Sequence, residues 1–289
     1  MANLALDATT EVASELAADE SGSASGFFGW LFYSDGFHAP TVGEFFPPAL
    51  FGDGTFFEFN RIMLARVIAA AVLILIFWLV ARRATLIPTR GQSLVEMLLD
   101  FVRVQIVEQV MSKEHARRFV PFLTTLFLAV FTFNITGVIP FINMPGTALI
   151  GLPIIMALWV YVLYLTVGIK QHGFGGYLKT SLFPAGVPKP IYILLTPIEF
   201  LQVFILRPAT LALRLAANMM AGHLLLVLCF AATQYLFFEA ALALKAVGSV
   251  TLIAGLAFTL FEVFVSALQA YVFVMLSSVY LTMAVEEEH

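Results

Sequence analysis

From Phe119 to Ile169 the chain contains no Asp, Glu, Lys, Arg or His. A helix facing water over such a length needs polar residues on its solvent side, whereas about 20 residues suffice to cross a bilayer. The absence excludes a soluble core and leaves room for two crossings. Charge is scarce throughout: 12% of the 289 residues are charged and 61% are hydrophobic, against about 25% charge in soluble domains. Lipid is the solvent. A single cysteine, Cys229, excludes an intrachain disulfide, and its apolar setting reads as packing. The five histidines, His38, His115, His172, His223 and His289, lack the spacing of metal ligands. No Gly-rich loop cradles phosphate, so no nucleotide, cofactor or metal is expected. Nucleic acid is not an expected partner either.

Basic residues are missing from the first 60 positions, which carry Asp7, Glu11, Glu15, Asp19, Glu20, Asp35, Glu44, Asp53 and Glu58. Residues 1–26 also lack the basic start and early apolar core of a signal peptide. After a first span come Arg82, Arg83, Arg90, Arg103, Lys113, Arg117 and Arg118. Lys and Arg collect on the cytoplasmic side, so the N-terminus is placed outside and this burst inside. The C-terminal acids then lie in the cytoplasm, which the rule permits because acids weigh little in orientation.

The expected fold is an all-α polytopic membrane protein with about five membrane-crossing helices and one amphipathic surface helix. Residues 1–60 form an extracytoplasmic acidic segment, partly disordered. Residues 61–118 hold the first span, from about Ile62 to Ala81, and a cytoplasmic amphipathic helix. Arg61 and Arg66 at the outer end of that span can snorkel to the interface. In "SLVEMLLDFVRVQIVEQVM", Leu94, Leu98, Phe101, Val102, Ile106 and Val110 recur at helical spacing among charges. Such a helix either lies on the membrane surface or packs on neighbouring helices. Residues 119–190 form a helical hairpin, turning at "GVIPFINMPGT", and a basic cytoplasmic loop with Lys170, Lys179 and Lys189. Residues 191–289 form two antiparallel helices too long for an upright crossing, so they are tilted or bent, with Pro197 and Pro208 as places to bend.

Charge inside these last two segments costs from about 2.5 to over 10 kcal/mol per group, so each instance needs a reason. Arg214 sits in "LALRLAANMMAGHLLL" with no acid within ten residues. Arg207 suits snorkelling, but Arg214 is mid-segment. Glu262, Ser266 and Gln269 share one face of the last helix at i, i+4 and i+7. With Gln269 level with Arg214, Glu262 lies about 10 Å and His223 about 13 Å further out, at 1.5 Å per residue. Asn218 lies one turn outward of the arginine, and Glu199 about 22 Å inward. A carboxylate and an imidazole at one depth can pass a proton near neutral pH, whereas arginine cannot release one and so breaks a proton wire. Taken singly, each residue has a plain structural alternative: an ion pair for Arg214, a hydrogen-bonded histidine for His223. Ala216, Ala217, Ala221 and Gly222 let another helix approach, from a partner chain or from this one.

Two stretches, "LRPATLALRLAANMMAGHLL" and "EVFVSALQAYVFVMLSSVYLTMA", resemble the a subunit of the F-type ATP synthase membrane sector. The likeness extends loosely over about residues 35–285 and omits the acidic N-terminus. The resemblance implies a stator wall for a turning c-subunit ring, partnered also by peripheral stalk b subunits and the rest of the complex. Arg214 matches the family's essential arginine, Asn218 its polar neighbour and Gln269 the glutamine beside it. His223 and Glu262 match an acid–imidazole pair that occurs in either order among relatives, with Ser266 on the same face. Glu199 resembles an acidic residue of the inner half-channel, although its spacing to Pro208 is one residue longer than the family pattern. The implied activity is proton translocation through two offset half-channels in a bacterial plasma membrane, a mitochondrial inner membrane being the alternative, with no catalysis by this chain alone. A proton-coupled secondary transporter is the competing class; it calls for an inverted repeat, and none is visible.

Overall fold

A computed structural model describes residues 40–47, 49–51, 59–83, 85, 89–140, 142–183, 191–238 and 244–285. Most of the acidic N-terminal segment, Lys189 and the C-terminal acids therefore lie outside the described residues. Seven α-helices dominate: α1 (Arg61–Arg82), α2 (Arg90–Asp100), α3 (Lys113–Ile135), α4 (Gly151–Leu182), α5 (Tyr192–Leu201), α6 (Arg207–Phe238) and α7 (Lys245–Val285). Two π-helical segments, Phe101–Val107 and Gln202–Leu206, continue α2 and join α5 to α6. With that join, five helical stretches are long and apolar enough to cross a membrane, including one of 47 residues over Tyr192–Phe238 and α7 with 41. A small antiparallel pairing of β1 (Ala49–Phe51) with β2 (Phe59–Asn60) precedes α1.

Helices are required here because lipid offers no partner for backbone N–H and C=O groups. Asn60 starts α1 by accepting a hydrogen bond from the Met63 N–H at 3.0 Å. The core is shared by α3, α4, α6 and α7: Leu123 and Val130 meet Val160 and Tyr164, with Leu215, Phe273, Val274 and Leu281 closing it. By contrast α1 leaves Val67, Ile74, Leu75 and Trp78 uncovered, a composition suited to lipid. The amphipathic segment packs on neighbouring helices through its second half. Leu94 and Met97 in α2 are exposed, while Val102, Ile106 and Val107 in the π segment are fully buried against the core.

Two local features differ from expectation. Helix α4 does not stop near Ile169 but bends at Gly173, whose φ of 72° only glycine adopts without strain, and resumes to Leu182. The bend brings the Tyr177 ring so close to Gly168 that a Cβ there would lie 2.5 Å from it. Part of the basic loop is thus helical. Arg61 and Arg66 do not simply reach for the interface. Arg61 Nη2 donates to the Ile142 carbonyl at 2.9 Å and Arg66 Nε to the Gly146 carbonyl at 2.7 Å. Both hold the turn between α3 and α4, whose carbonyls lack helical partners.

Candidate functional site

The site is built on the α6–α7 pair. Gly222 lies against Glu262, Cys229 and Phe230 against Gly255, and Thr233 donates to Thr251 at 2.9 Å. These contacts define an antiparallel pair in constant register. Continued along the pair, that register sets Gln269 within one residue of level with Arg214. Glu262 and His223 fall in one layer, as the helical rise requires. Glu262 is 5% exposed and His223 4%.

Burial divides the polar residues into two groups. Glu262, Ser266 and Gln269 are all buried on the inward face of α7. Arg214 and Asn218 on α6 are exposed, together with Ala217 and Ala221. These four recur at i, i+3, i+4 and i+7, so they form one open stripe. Of the small residues, Ala216 turns into the core and Gly222 is half-buried under Glu262. Among the described residues Arg214 makes no ion pair and no hydrogen bond. Glu199 is half-buried on α5, well separated along the chain from the His223 layer.

The inward layer is rich in unpaired polar atoms. Among the described residues His223 Nδ1, Glu262 Oε1 and Ser266 Oγ are buried without hydrogen-bond partners, and so are Arg66 Nη2 and Asn134 Nδ2. Buried polar groups are normally paired with protein or ordered water. The turn between α3 and α4 lies close by. Ala148, Phe45 and Met219 form one buried cluster, and Phe45 meets the His223 ring edge-on at 5.5 Å. Asn134 accepts from the Thr147 hydroxyl through its oxygen, which leaves its amide nitrogen free.

Several features were not read from sequence. In the sequence Gly222 is one small residue among several, yet a Cβ there would stand 2.7 Å from Glu262 Oε2. Its place beside His223 was the available clue. Phe45 carried no signal at all. The π segment Gln202–Leu206 was also unforeseen, although the extra residue between Glu199 and Pro208 pointed to it. A π turn accommodates one added residue within an α-helix, and this one lies inside that interval.

Fold and site together define a multi-pass helical membrane protein with a buried titratable layer and an outward-facing, unpaired arginine. The chain matches the family model described as ATP synthase A chain over residues 63–282. It is 44% identical over 257 residues to ATP synthase subunit a of Rhodococcus erythropolis (strain PR4), covering 89% of this chain and 94% of that one. Subunit a of a Nocardioides species is 38% identical, with 88% and 95% covered, and that of a Parafrankia species 39%, with 86% and 84% covered. The chain belongs to the ATP synthase subunit a family.

Proposed function

We propose that this chain is the proton-translocating stator subunit of a rotary ATP synthase, with Arg214 separating two offset half-channels. The observation that carries this is the division of the polar residues. Among the described residues a permanent cation stands unpaired on an exposed small-residue stripe of α6, while Glu262, Ser266 and Gln269 form a buried polar line on the neighbouring helix α7. The open stripe suits the close approach of helices from a c-subunit ring, and the missing counter-ion is a ring carboxylate.

Electrostatics then sets the sequence of events. A ring carboxylate beside Arg214 is held as the anion, so it has given up its proton on one side. As it moves on, it is reprotonated through His223 and Glu262 from the other, with Asn218 ordering water along the way. Imidazole and carboxylate can each accept and release a proton, and Ser266 and Gln269 can order water between them. Arg214 cannot deprotonate, so protons do not cross without the ring. Each proton crossing 100 mV supplies about 2.3 kcal/mol, and unequal access makes the motion directional. Glu199 serves the opposite half-channel. The chain binds no nucleotide itself; the soluble head performs the chemistry, and b subunits tie the stator to it. The N-terminus is outside and the C-terminus in the cytoplasm of a bacterial plasma membrane.

ATP-driven proton pumping in inverted vesicles, with passive leak recorded in parallel, tests this. Arg214→Ala in a fully assembled complex is expected to abolish pumping and raise the leak. Coupled pumping at the wild-type level would return Arg214 to a structural role.

A further inference from the structure

The junction between α5 and α6 has an unusual backbone problem. Within the π segment Gln202–Leu206 the Arg207 N–H reaches five residues back, to the Gln202 carbonyl. The next bond in that pattern would run from residue 208 to the Val203 carbonyl. Residue 208 is proline, which has no N–H to give. The Val203 carbonyl is nonetheless paired: the Tyr164 hydroxyl, from α4, donates to it at 2.7 Å.

The donor is firmly seated. Tyr164 is 2% exposed, its ring meets Tyr161 edge-on at 5.3 Å, and it lies 6.2 Å from the ring of Tyr280 on α7. The Arg207 guanidinium covers the other neighbour, 5.3 Å from the Tyr280 ring centre. Three helices therefore converge on this one turn. Past the junction, the Thr210 hydroxyl donates to the Leu206 carbonyl at 2.6 Å as α6 proceeds.

We propose that Tyr164 is a positioning residue for the Arg214 stripe: its hydroxyl replaces the N–H that Pro208 lacks and so holds the π turn that orients α6. The inference rests on the proton-barrier reading of Arg214. A π turn carries one more residue than the α turn it replaces. Its collapse or slippage would rotate α6 relative to α5 by about 100° for one residue. Arg214 would then leave the open face, or Glu199 would turn from its own. Without the hydroxyl, the Val203 carbonyl is left unpaired in an apolar interior, where backbone groups must find partners, and the π geometry loses its support.

The test uses inverted vesicles containing the assembled ATP synthase, with ATP-driven pumping and passive leak measured per amount of complex. Tyr164→Phe keeps the ring and removes only the donor; it is expected to lower pumping about threefold or more. Adding Pro208→Ala supplies an amide at the missing position and is expected to restore pumping to within about twofold of wild type. Exchanging one donor for another does not answer a general loss of packing, so the rescue is specific to positioning. Wild-type pumping in Tyr164→Phe, or a defect that Pro208→Ala does not relieve, overturns the proposal. Should Tyr164→Phe fail to assemble, recovery of assembly by Pro208→Ala supports it and continued failure overturns it. Arg214→Ala is measured alongside. Coupled pumping there removes the barrier reading itself, whereas its loss together with normal Tyr164→Phe removes only this inference.

Discussion

Gly222→Ala is the smallest change that reaches the titratable layer, since it adds one methyl group directly beneath the Glu262 carboxylate. The new Cβ would stand 2.7 Å from Oε2, 2.9 Å from Oε1 and 3.0 Å from Cδ, where ordinary contact begins at 3.4 Å. The carboxylate must therefore retreat by about 0.7 Å, the difference between 3.4 and 2.7 Å. Because it is the end of a flexible side chain, Glu262 can make that move at modest cost. Exchanging glycine for alanine inside a helix also returns about 0.5–1 kcal/mol. The complex should then assemble normally and keep its thermal stability to within about 1 kcal/mol. Function should not be spared. Misplacing a reacting group by 1 Å costs on the order of a hundredfold, so a shift of this size is expected to slow proton transfer on the order of tenfold. The assay is ATP-driven pumping in vesicles at matched amounts of complex, with the thermal midpoint of the complex measured separately. Wild-type pumping in a well-assembled Gly222→Ala complex would refute the placement of Glu262 in the proton path.

Gly137→Ala should behave in the opposite way. Its Cβ would lie 2.9 Å from Pro145 Cβ and 3.3 Å from Pro145 Cα, a ring and a backbone that cannot swing aside, so a loss of about 1–3 kcal/mol is expected. A thermal midpoint equal to wild type would contradict that. Glu108→Gln breaks the 2.7 Å ion pair with Arg103, whose side chain is 47% exposed. Such pairs contribute about 0–1 kcal/mol, so assembly and pumping should stay at the wild-type level, and a marked defect would mean that Glu108 does more than pair.

Much of the fold was open to reading because lipid constrains it so tightly. A bilayer demands a fixed length of apolar helix, and the uncharged run from Phe119 to Ile169 met that demand twice over. The α6–α7 register was accessible for a similar reason. Helical rise is constant, so once Gln269 is set level with Arg214 the spacing carries Glu262 to the layer of His223, and the contacts of Gly222, Gly255 and Thr251 agree with that register. The turn between α3 and α4 showed itself through proline and glycine. Its anchoring by Arg61 and Arg66 did not, because a long side chain near a helix end can reach either the interface or a neighbouring carbonyl.

Direction was the harder matter. The faces of α7 could be sorted relative to one another by period, so Glu262, Ser266 and Gln269 were known to share a side. Which side was core could not be known, because a helix apolar all round offers hydrophobicity no direction to choose. Packing decides it instead, through Gly222 admitting Glu262 and through Leu211 and Leu215 filling the core while Arg214 turns away. The π turn at Gln202–Leu206 belongs to the same category. Its proline is written in the chain, but the hydroxyl that completes its hydrogen bonding comes from Tyr164, thirty-nine residues earlier. By itself the sequence determined the membrane class, the spans, which polar residues share a helix face and the family motifs, all of which follow from length and local period. Only the tertiary structure decided which groups are buried, which stand exposed and which backbone atoms find donors, because those depend on contacts between segments remote in the chain.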